Sequence, residues 1–487
     1  MLKMDDTKVQ AQRLSAAGAM SRRTFAASAM AGFFIGATRV YGQDVKRNEQ
    51  KLRVFKVGTG HMGAGDIDRL AMTGDVIFTG LCDVSPTAFP KAARDGQKLI
   101  PLDGVPRFTD YREMLDKIAD QCDAVCISTP DHTHACIALA AMRRGKHVYV
   151  QKPVCHTFEE GEKMLMAAAK WPRLCTQMGN QHHAGVYRYE ALMNESFWGE
   201  VQAVHCWSDR PSRFWTQGQT ALPPEEPVPA GYNWDCWVGP RAMRPFSRAY
   251  IDGKFRTWPD FGCGPIGDMM VHNVDPTFHA LKLGLPVRLK AWTNTPVTIA
   301  LPRFTTIDLH FDPTPVCPHG IDLYWYEAGM LPKPPPGAHP GFRFGENGLM
   351  FCGTRATTVG GGWSAPPLCV SVPGQAYGPA VKDLQRTCAA LQKQAPNPYA
   401  GLKTGANGLG VHHYSQWVRA CIEGTPEKCT SRFAYSVRLT QVCVLGNIAQ
   451  RLSGTELRFD SVAKRFDNDK ANAMLAPVER KGFECLV

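Results

Sequence analysis

Apolar positions in the first part of the chain fall into short runs separated by stretches with helical spacing. Leu52–Val57, Val76–Leu81, Ala124–Ser128 and His147–Val150 are compact apolar runs with turn residues at their ends, the pattern of buried strands. Tyr111–Asp120, Asp131–Arg144 and Phe158–Lys170 carry apolar residues every three to four positions, as helices with one buried face do. Gly145 closes the second of these helices. Strands alternating with helices predict a parallel, doubly wound sheet with ligands at the carboxyl ends of its strands. Trp171-Pro172 interrupts the pattern, and the first domain is expected to end there.

From Leu174 onward the rhythm changes. Strand candidates Leu174–Met178, Val201–Trp207, Leu289–Trp292, Thr306–Phe311 and Asp322–Tyr326 are separated by long connections rich in Pro, Gly and Trp. This predicts an α+β domain with an open, mostly antiparallel sheet. Residues 312–400 are dense in Pro and Gly and read as irregular surface structure with a few strands. His412–Glu423 and Arg438–Ser453 return to helical spacing, and no internal repeat is present. The expected organisation is a leader over 1–43, a dinucleotide-binding α/β domain over 44–170, and a substrate-binding and oligomerisation domain over 171–487.

Composition narrows the class. Charged residues at 20% and hydrophobic residues at 44% of 487 describe a globular chain with room for well-buried cores. The formal charge is +11, of which residues 1–43 supply +4 from six Lys/Arg against two Asp. The remaining +7 contains no dense basic block, so a nucleic-acid stripe is not expected. In the leader, Arg22-Arg23 precedes the alanine-rich run Ala26–Ala37, which is too short to span a bilayer. That resembles a twin-arginine export signal, with Met20 as an alternative start and cleavage near Tyr41–Gln43. The expectation is a periplasmic or otherwise exported protein that folds around its cofactor first and has no stable membrane insertion once the signal is removed. The 17 cysteines are an odd number with no C-x-x-C pair, so neither a disulfide framework nor a zinc site is expected. The neighbours His182-His183 and His412-His413 point apart on helix or strand, so no metal is expected there either.

The first strand runs directly into Gly58-Thr59-Gly60-His61-Met62-Gly63. In a G-x-G-x-x-G turn, Gly58 permits the tight turn, Gly60 lets backbone approach a pyrophosphate, and Gly63 lets the next helix pack close. The phosphates then meet free N–H groups at a helix N-terminus. Asp83 follows the second strand, 20 residues beyond Gly63, where a carboxylate can hold both ribose hydroxyls. It would repel a 2′-phosphate, which favours NAD over NADP. Two further strand ends, Ser128-Thr129-Pro130 and Gln151-Lys152-Pro153, face the same cofactor edge.

The second domain holds Gly267-Asp268-Met269-Met270-Val271-His272, followed by Asp275-Pro276. If Gly267 opens a helix, Asp268 and His272 share a face, and the carboxylate can fix the imidazole tautomer. Lys152, at a strand end beside a bound nicotinamide, is placed to hold or remove the proton of a substrate hydroxyl. Polyol recognition needs several convergent donors and acceptors, and Asn180, Gln181 and His182 come in succession after a strand. Asp209 and Arg210 end another strand; of Trp207, Trp215, Trp234 and Trp237, one or two at most are expected to stack on a sugar face, the rest filling core.

At these residues the sequence resembles the Gfo/Idh/MocA oxidoreductases, which include glucose–fructose oxidoreductase and inositol dehydrogenase. The resemblance runs in motif order through nearly all of residues 50–480. It includes Gly58–Gly63, Cys82-Asp83, Thr129-Pro130-Asp131-His132-Thr133-His134, Gly145-Lys146-His147-Val148, Lys152-Pro153 and Gly267 to His272. Gly179-Asn180-Gln181, Trp207-Ser208-Asp209-Arg210-Pro211 and Ala280–Gly284 are similar to the exported branch with twin-arginine leaders. The resemblance implies a Rossmann domain, an open mixed sheet used partly for assembly into a homo-oligomer, and NAD as cofactor. It implies that Lys152, Asp268 and His272 are the catalytic group. Gly58, Gly60, His61, Met62, Gly63, Asp83, Thr129, Pro130, His134 and Lys152 would hold the cofactor. Asn180, Gln181, His182, Arg210 and His272 would hold a carbohydrate or cyclitol substrate. The expected reaction is hydride transfer from a secondary alcohol. The alternatives are a redox-assisted glycosidase that uses tightly bound NAD without consuming it, and a non-catalytic sugar binder. Gln151 stands where many members have Glu, which removes a carboxylate that could partner Lys152.

Overall fold

The computed structural model describes residues 51–211, 215–402 and 410–487; the expected leader lies outside the described residues. Strands β1 (Leu52–Val57), β2 (Val76–Cys82), β5 (Arg107–Phe108), β6 (Ala124–Ile127), β7 (His147–Val150) and β8 (Thr176–Met178) form one sheet in the order β5-β2-β1-β6-β7-β8. Every pairing in it is parallel. A small hairpin, β3 (Ala92–Asp95) with β4 (Lys98–Pro101), branches off after β2. β1 sits near the middle and is buried along its length except at Arg53, whose guanidinium meets Asp123 at 2.6 Å.

The sixth strand differs from the sequence expectation. Thr176–Met178 was expected in the second domain, yet it pairs with β7 and completes the first sheet, so a boundary at residue 170 falls one strand short. Three fully buried residues carry no periodicity from which to choose a sheet. The helix Phe158–Lys170 does form as expected, held at its start by a capping box between Thr157 and Glu160.

The second sheet contains β9 (Val201–Trp207), β10 (Arg288–Thr293), β11 (Thr305–Phe311), β12 (Ile321–Tyr326), β13 (Gly348–Gly353), β14 (Thr357–Gly361), β15 (Leu368–Ser371), β16 (Glu456–Asp460) and β17 (Arg465–Phe466). Their order is β15-β14-β13-β9-β12-β11-β10-β16-β17, and only the β9–β12 pair is parallel. β11 and β12 alternate buried with half-buried residues, as a sheet with one covered face requires. The cover is the helix Phe433–Arg451, which packs on β10 and β11 and on the helix Phe158–Lys170. Most of its residues are apolar or small and buried, which suits a position between two layers.

Residues 312–400 are more ordered than their Pro/Gly content suggests. They contain β13, β14, β15 and the helix Pro379–Gln394. Here glycine serves close packing: a Cβ on Gly348 would lie 2.5 Å from the Trp207 ring. From the other end of the chain, the helix Val411–Glu423 packs against β1 and the helix Met62–Met72. Among the described residues no helix is long and apolar enough to cross a membrane. All the cysteines are unpaired, and all but Cys352 are buried.

Candidate active site

The turn after β1 is built from positions that exclude side chains. Gly58 has φ +79°, and a Cβ there would meet Ser128 O at 2.4 Å. A Cβ on Gly63 would meet Gly58 O at 2.1 Å, so the turn and the helix Met62–Met72 can close together only as glycine. His61, with φ 42°, leads into that helix and is exposed beside Met62. At the end of β2, Asp83 accepts the Thr59 N–H at 2.8 Å and the Ser85 N–H at 3.0 Å. Oδ2 also faces the Thr59 hydroxyl at 3.3 Å, whereas Oδ1 keeps a second lone pair for a ribose hydroxyl. A cleft of about 850 Å³ runs from Gly60 and Asp83 past Thr129 and Pro130 to Lys152 and Asp268. Its shape, its excluded Cβ positions and the orientation of Asp83 fit a dinucleotide.

His134, expected to hold the cofactor, does something else, as does its neighbour His132. His134 is buried, with Nδ1 2.7 Å from Pro153 O and Nε2 2.8 Å from Thr129 O, so it ties two strand ends together and does not reach the cleft. Its expected cofactor contact is not formed, because the ring is buried between two main-chain carbonyls, one of which accepts its single N–H. His132 is likewise buried between Phe261 O and Trp237 O, and burial pushes its pKa down to about 3.

At the far end of the cleft, Lys152 Nζ donates to Asp268 Oδ1 at 2.6 Å and to Asp268 O at 2.9 Å. Asp268 belongs to a π-helical turn, Ile266–Met270, that continues into Val271–Asn273. Arg256 Nε lies 3.4 Å and Arg210 Nε 3.7 Å from the same carboxylate. Burial alone would raise the Asp268 pKa, but the charges of Lys152 and Arg256 outweigh it and hold the group well below the usual carboxylate range.

The expected Asp268–His272 dyad is therefore not what forms. The carboxylate is committed to Lys152, and His272 Nδ1 is buried with no hydrogen-bond partner. Burial, reinforced by the positive charge of Lys152, holds the His272 pKa well below its ordinary value, so the ring is neutral. The His182 ring stands edge-on to it with centroids 6.1 Å apart, and Trp363 lies 6.2 Å beyond His182.

Of the proposed polyol contacts, His182 is exposed, whereas Asn180 and Gln181 are buried structural residues. Asn180 donates to Asp275 at 2.9 Å and accepts from Ser431 at 2.6 Å; Gln181 donates to the Tyr414 hydroxyl at 2.8 Å. A turn between two packed layers consumes these amides before a ligand could. Arg210 is held by Asp209 through bonds of 2.7 and 2.8 Å. Trp207 is buried, and Trp234 stacks on Trp237 at 4.6 Å inside an apolar cluster, so these rings build core. Trp215 lies under the Arg256 guanidinium at 5.6 Å. The aromatic ring beside the His pair is instead Trp363, carried at φ 59° after Gly360-Gly361-Gly362. That glycine run was the available signal, and Arg256 had none.

Gln151 also acts otherwise than expected. Its amide donates to both oxygens of buried Asp66 at 2.9 Å, away from Lys152. Asp66 further accepts from the hydroxyls of Ser128 and Tyr414, and Ser128 accepts from buried Lys56 at 2.6 Å. This network lies directly beneath the glycine turn.

Residues 52–178 match the family model described as the Gfo/Idh/MocA oxidoreductase family, NAD-binding Rossmann fold. Residues 203–313 match its C-terminal alpha/beta domain. A glycosyl hydrolase family 109 protein of Saccharopolyspora erythraea is 30% identical over 156 residues, which is 31% of this chain and 34% of that protein. The match thus spans about a third of that relative's length. Among solved structures, the WlbA dehydrogenase of Bordetella pertussis, in complex with NADH and UDP-GlcNAcA, superimposes with a TM-score of 0.55 at 15% identity, covering 85% of this chain and 99% of that one. An inositol dehydrogenase homolog of Azotobacter vinelandii, complexed with NADH and myo-inositol, gives 0.50 at 15% identity over 85% and 99%. At such identities the structures establish a shared fold.

Proposed function

Because the chain belongs to the Gfo/Idh/MocA oxidoreductase family, with its NAD-binding Rossmann domain over residues 52–178, we propose that it oxidises a secondary alcohol of a sugar, sugar derivative or cyclitol. The observation that carries this reading is the Lys152–Asp268 pair at 2.6 Å, closing the dinucleotide cleft beside the neutral His272 ring. NAD, when bound, supplies the two-electron acceptor. The chain's own residues manage the proton. Lys152 spends two donors on Asp268 and keeps one for a substrate hydroxyl at the cleft wall. The buried His272 ring, whose Nδ1 has no partner, would supply the lone pair to the same hydroxyl in its Nε2–H tautomer once substrate packs against it. Asp268 holds the lysine in place, and a carbinol packed near His182 and Trp363 would lie within reach of both groups.

A second reading is favoured by the family 109 glycosyl hydrolase relative. There the same residues would oxidise a glycoside transiently, so that elimination breaks the glycosidic bond and the hydride returns. Net cofactor turnover separates the two. The NAD-loaded protein, incubated with free sugars, cyclitols and aryl glycosides, is followed for NADH absorbance and for aglycone release. A dehydrogenase accumulates NADH, a redox-assisted glycosidase releases aglycone with none accumulated, and neither signal from any substrate would refute both. The leader read in residues 1–43 would export the protein folded, with its dinucleotide in place.

A further inference from the structure

Positive charge exceeds negative charge at the closed end of the cleft. Lys152, Arg256 and Arg210 stand 2.6, 3.4 and 3.7 Å from one carboxylate, that of Asp268. Asp209 satisfies Arg210 through two bonds, and Asp268 is hydrogen-bonded to Lys152. Three cations therefore face two carboxylates, and the surplus falls on Arg256. These groups are mostly dry: Lys152, Asp268 and Arg256 expose 13, 15 and 19% of their side chains. Of the other charges along the cleft, Asp83 lies at the opposite end against the Thr59 and Ser85 amides, Asp252 is well solvated beside His61, and Arg248 is paired with Glu226.

Arg256 is also held for a ligand. Its guanidinium lies over the Phe255 ring at 4.5 Å and the Trp215 ring at 5.6 Å, which restrains its plane. Its Nε faces Asp268 Oδ1 at 3.4 Å without the alignment of a hydrogen bond, and the rest of the side chain lines the cleft. A guanidinium fixed in orientation, partly desolvated and short of acceptors is suited to bidentate recognition of a planar anion. The pyrophosphate of a dinucleotide belongs at the other end, over the Gly58–Gly63 turn.

Building on the oxidoreductase reading above, we infer that Arg256 binds a carboxylate on the sugar, and that the substrate is a sugar acid. The acid group anchors the ring against Arg256 and presents a neighbouring carbinol to Lys152 and His272. Arg210, already clamped by Asp209, bounds the same corner and admits an anion more readily than a neutral group.

The test uses the NAD-loaded full chain with glucuronate and galacturonate against glucose and galactose. Calorimetry gives affinity and NADH absorbance gives kcat/KM. The acids are expected to bind at least tenfold more tightly than the matching neutral sugars. Arg256→Gln should cut that preference at least tenfold, and Arg256→Lys should recover part of it, which separates charge from misfolding. Equal or better binding of the neutral sugars by the parent protein would overturn the inference. So would an Arg256→Gln protein whose preference is unchanged while its NAD affinity falls, since the anion would then be the cofactor's own. The calorimetric arm is independent of chemistry: acids that bind through Arg256 yet reduce no cofactor would sustain the anion site and refute the dehydrogenase reading.

Discussion

Lys152 reaches from the end of β7 to grip Asp268 twice, by its carboxylate at 2.6 Å and by its main-chain carbonyl at 2.9 Å. The double contact ties the end of a parallel strand to a π-helical turn of the second domain, and it fixes the ammonium beside His272. Asp268→Asn should keep the carbonyl contact and lose the charge. Turnover should then fall by about 100-fold or more, as for loss of a group that sets up proton transfer, with little change in NAD affinity. Lys152→Met removes the ammonium that donates to the substrate hydroxyl and His272→Ala removes the proton acceptor, so kcat should fall by about 100-fold or more in each. Unchanged turnover in both would remove the proposed group from the chemistry.

Cofactor binding depends on two short-range features. Asp83→Ala removes the carboxylate that accepts the Thr59 and Ser85 amides and faces the cleft. NAD affinity should fall by about 1–3 kcal/mol, the scale of hydrogen bonds to a charged group, whereas NADP should be less affected. Gly63→Ala places a methyl group 2.1 Å from Gly58 O and 2.8 Å from Gly58 C, main-chain atoms that cannot swing aside. That variant should lose dinucleotide binding altogether. Fluorescence titration with NADH reads both, and an Ala at 63 that bound normally would mean the turn is not the phosphate site.

Acid stability follows from histidines that are buried in neutral form. Burial pushes the His132 pKa down to about 3 and holds those of His156, His272 and His413 well below their ordinary value. In the unfolded chain each titrates near 6.5. Between that value and the depressed folded one, the unfolded state binds protons that the folded state refuses, so stability is full above about pH 7 and is lost as pH falls. Glu327 works the other way: burial pushes its pKa up to about 8, so the folded state keeps a proton that the unfolded state releases. The histidines outnumber the glutamate, so the net effect is a loss of stability as pH falls below about 6. Urea denaturation at pH 7, 6 and 5 measures it, and a flat profile would contradict the assignment.

The α/β half was legible because its signals are local. Gly58, Gly63 and Asp83 are read from spacing alone, and the strands at 52–57 and 147–150 stand out as unbroken apolar runs. What escaped was set by contacts distant in sequence. Thr176–Met178 is a strand of the first sheet only because β7 lies beside it. Asn180 and Gln181 look like ligand contacts until Asp275, Ser431 and Tyr414 arrive from the second half and take their amides. Arg256 is one of many arginines in a loop-rich stretch. Its place near Asp268 depends on a turn whose register no periodicity announces. Asp268 and His272 are spaced as a dyad, yet Lys152 and Asp268, 116 residues apart, made the pair.

Gln151 offers the sharpest check on the buried network. Its amide donates to both oxygens of Asp66, and Asp66 and Gln151 are both buried. Gln151→Glu would here set a second carboxylate against Asp66. Two carboxylates at contact distance cannot both ionise, so the pair keeps one proton with a raised pKa. In the unfolded chain that proton leaves near pH 4. Above that value the folded variant holds a proton the unfolded chain lacks, so the defect grows as pH rises and levels off past the raised pKa. The expected loss is about 1–2 kcal/mol at pH 5 and about 3–5 kcal/mol at pH 8, the latter typical of an uncompensated buried charge. Adding Asp66→Asn to this variant exchanges amide and carboxylate, restores one donor to one acceptor, and should recover most of the stability at pH 8. Urea denaturation of the parent, the single variant and the double variant at both pH values decides it. A single Gln151→Glu protein with the parent's stability and pH dependence would show that the amide at 151 is not what Asp66 requires.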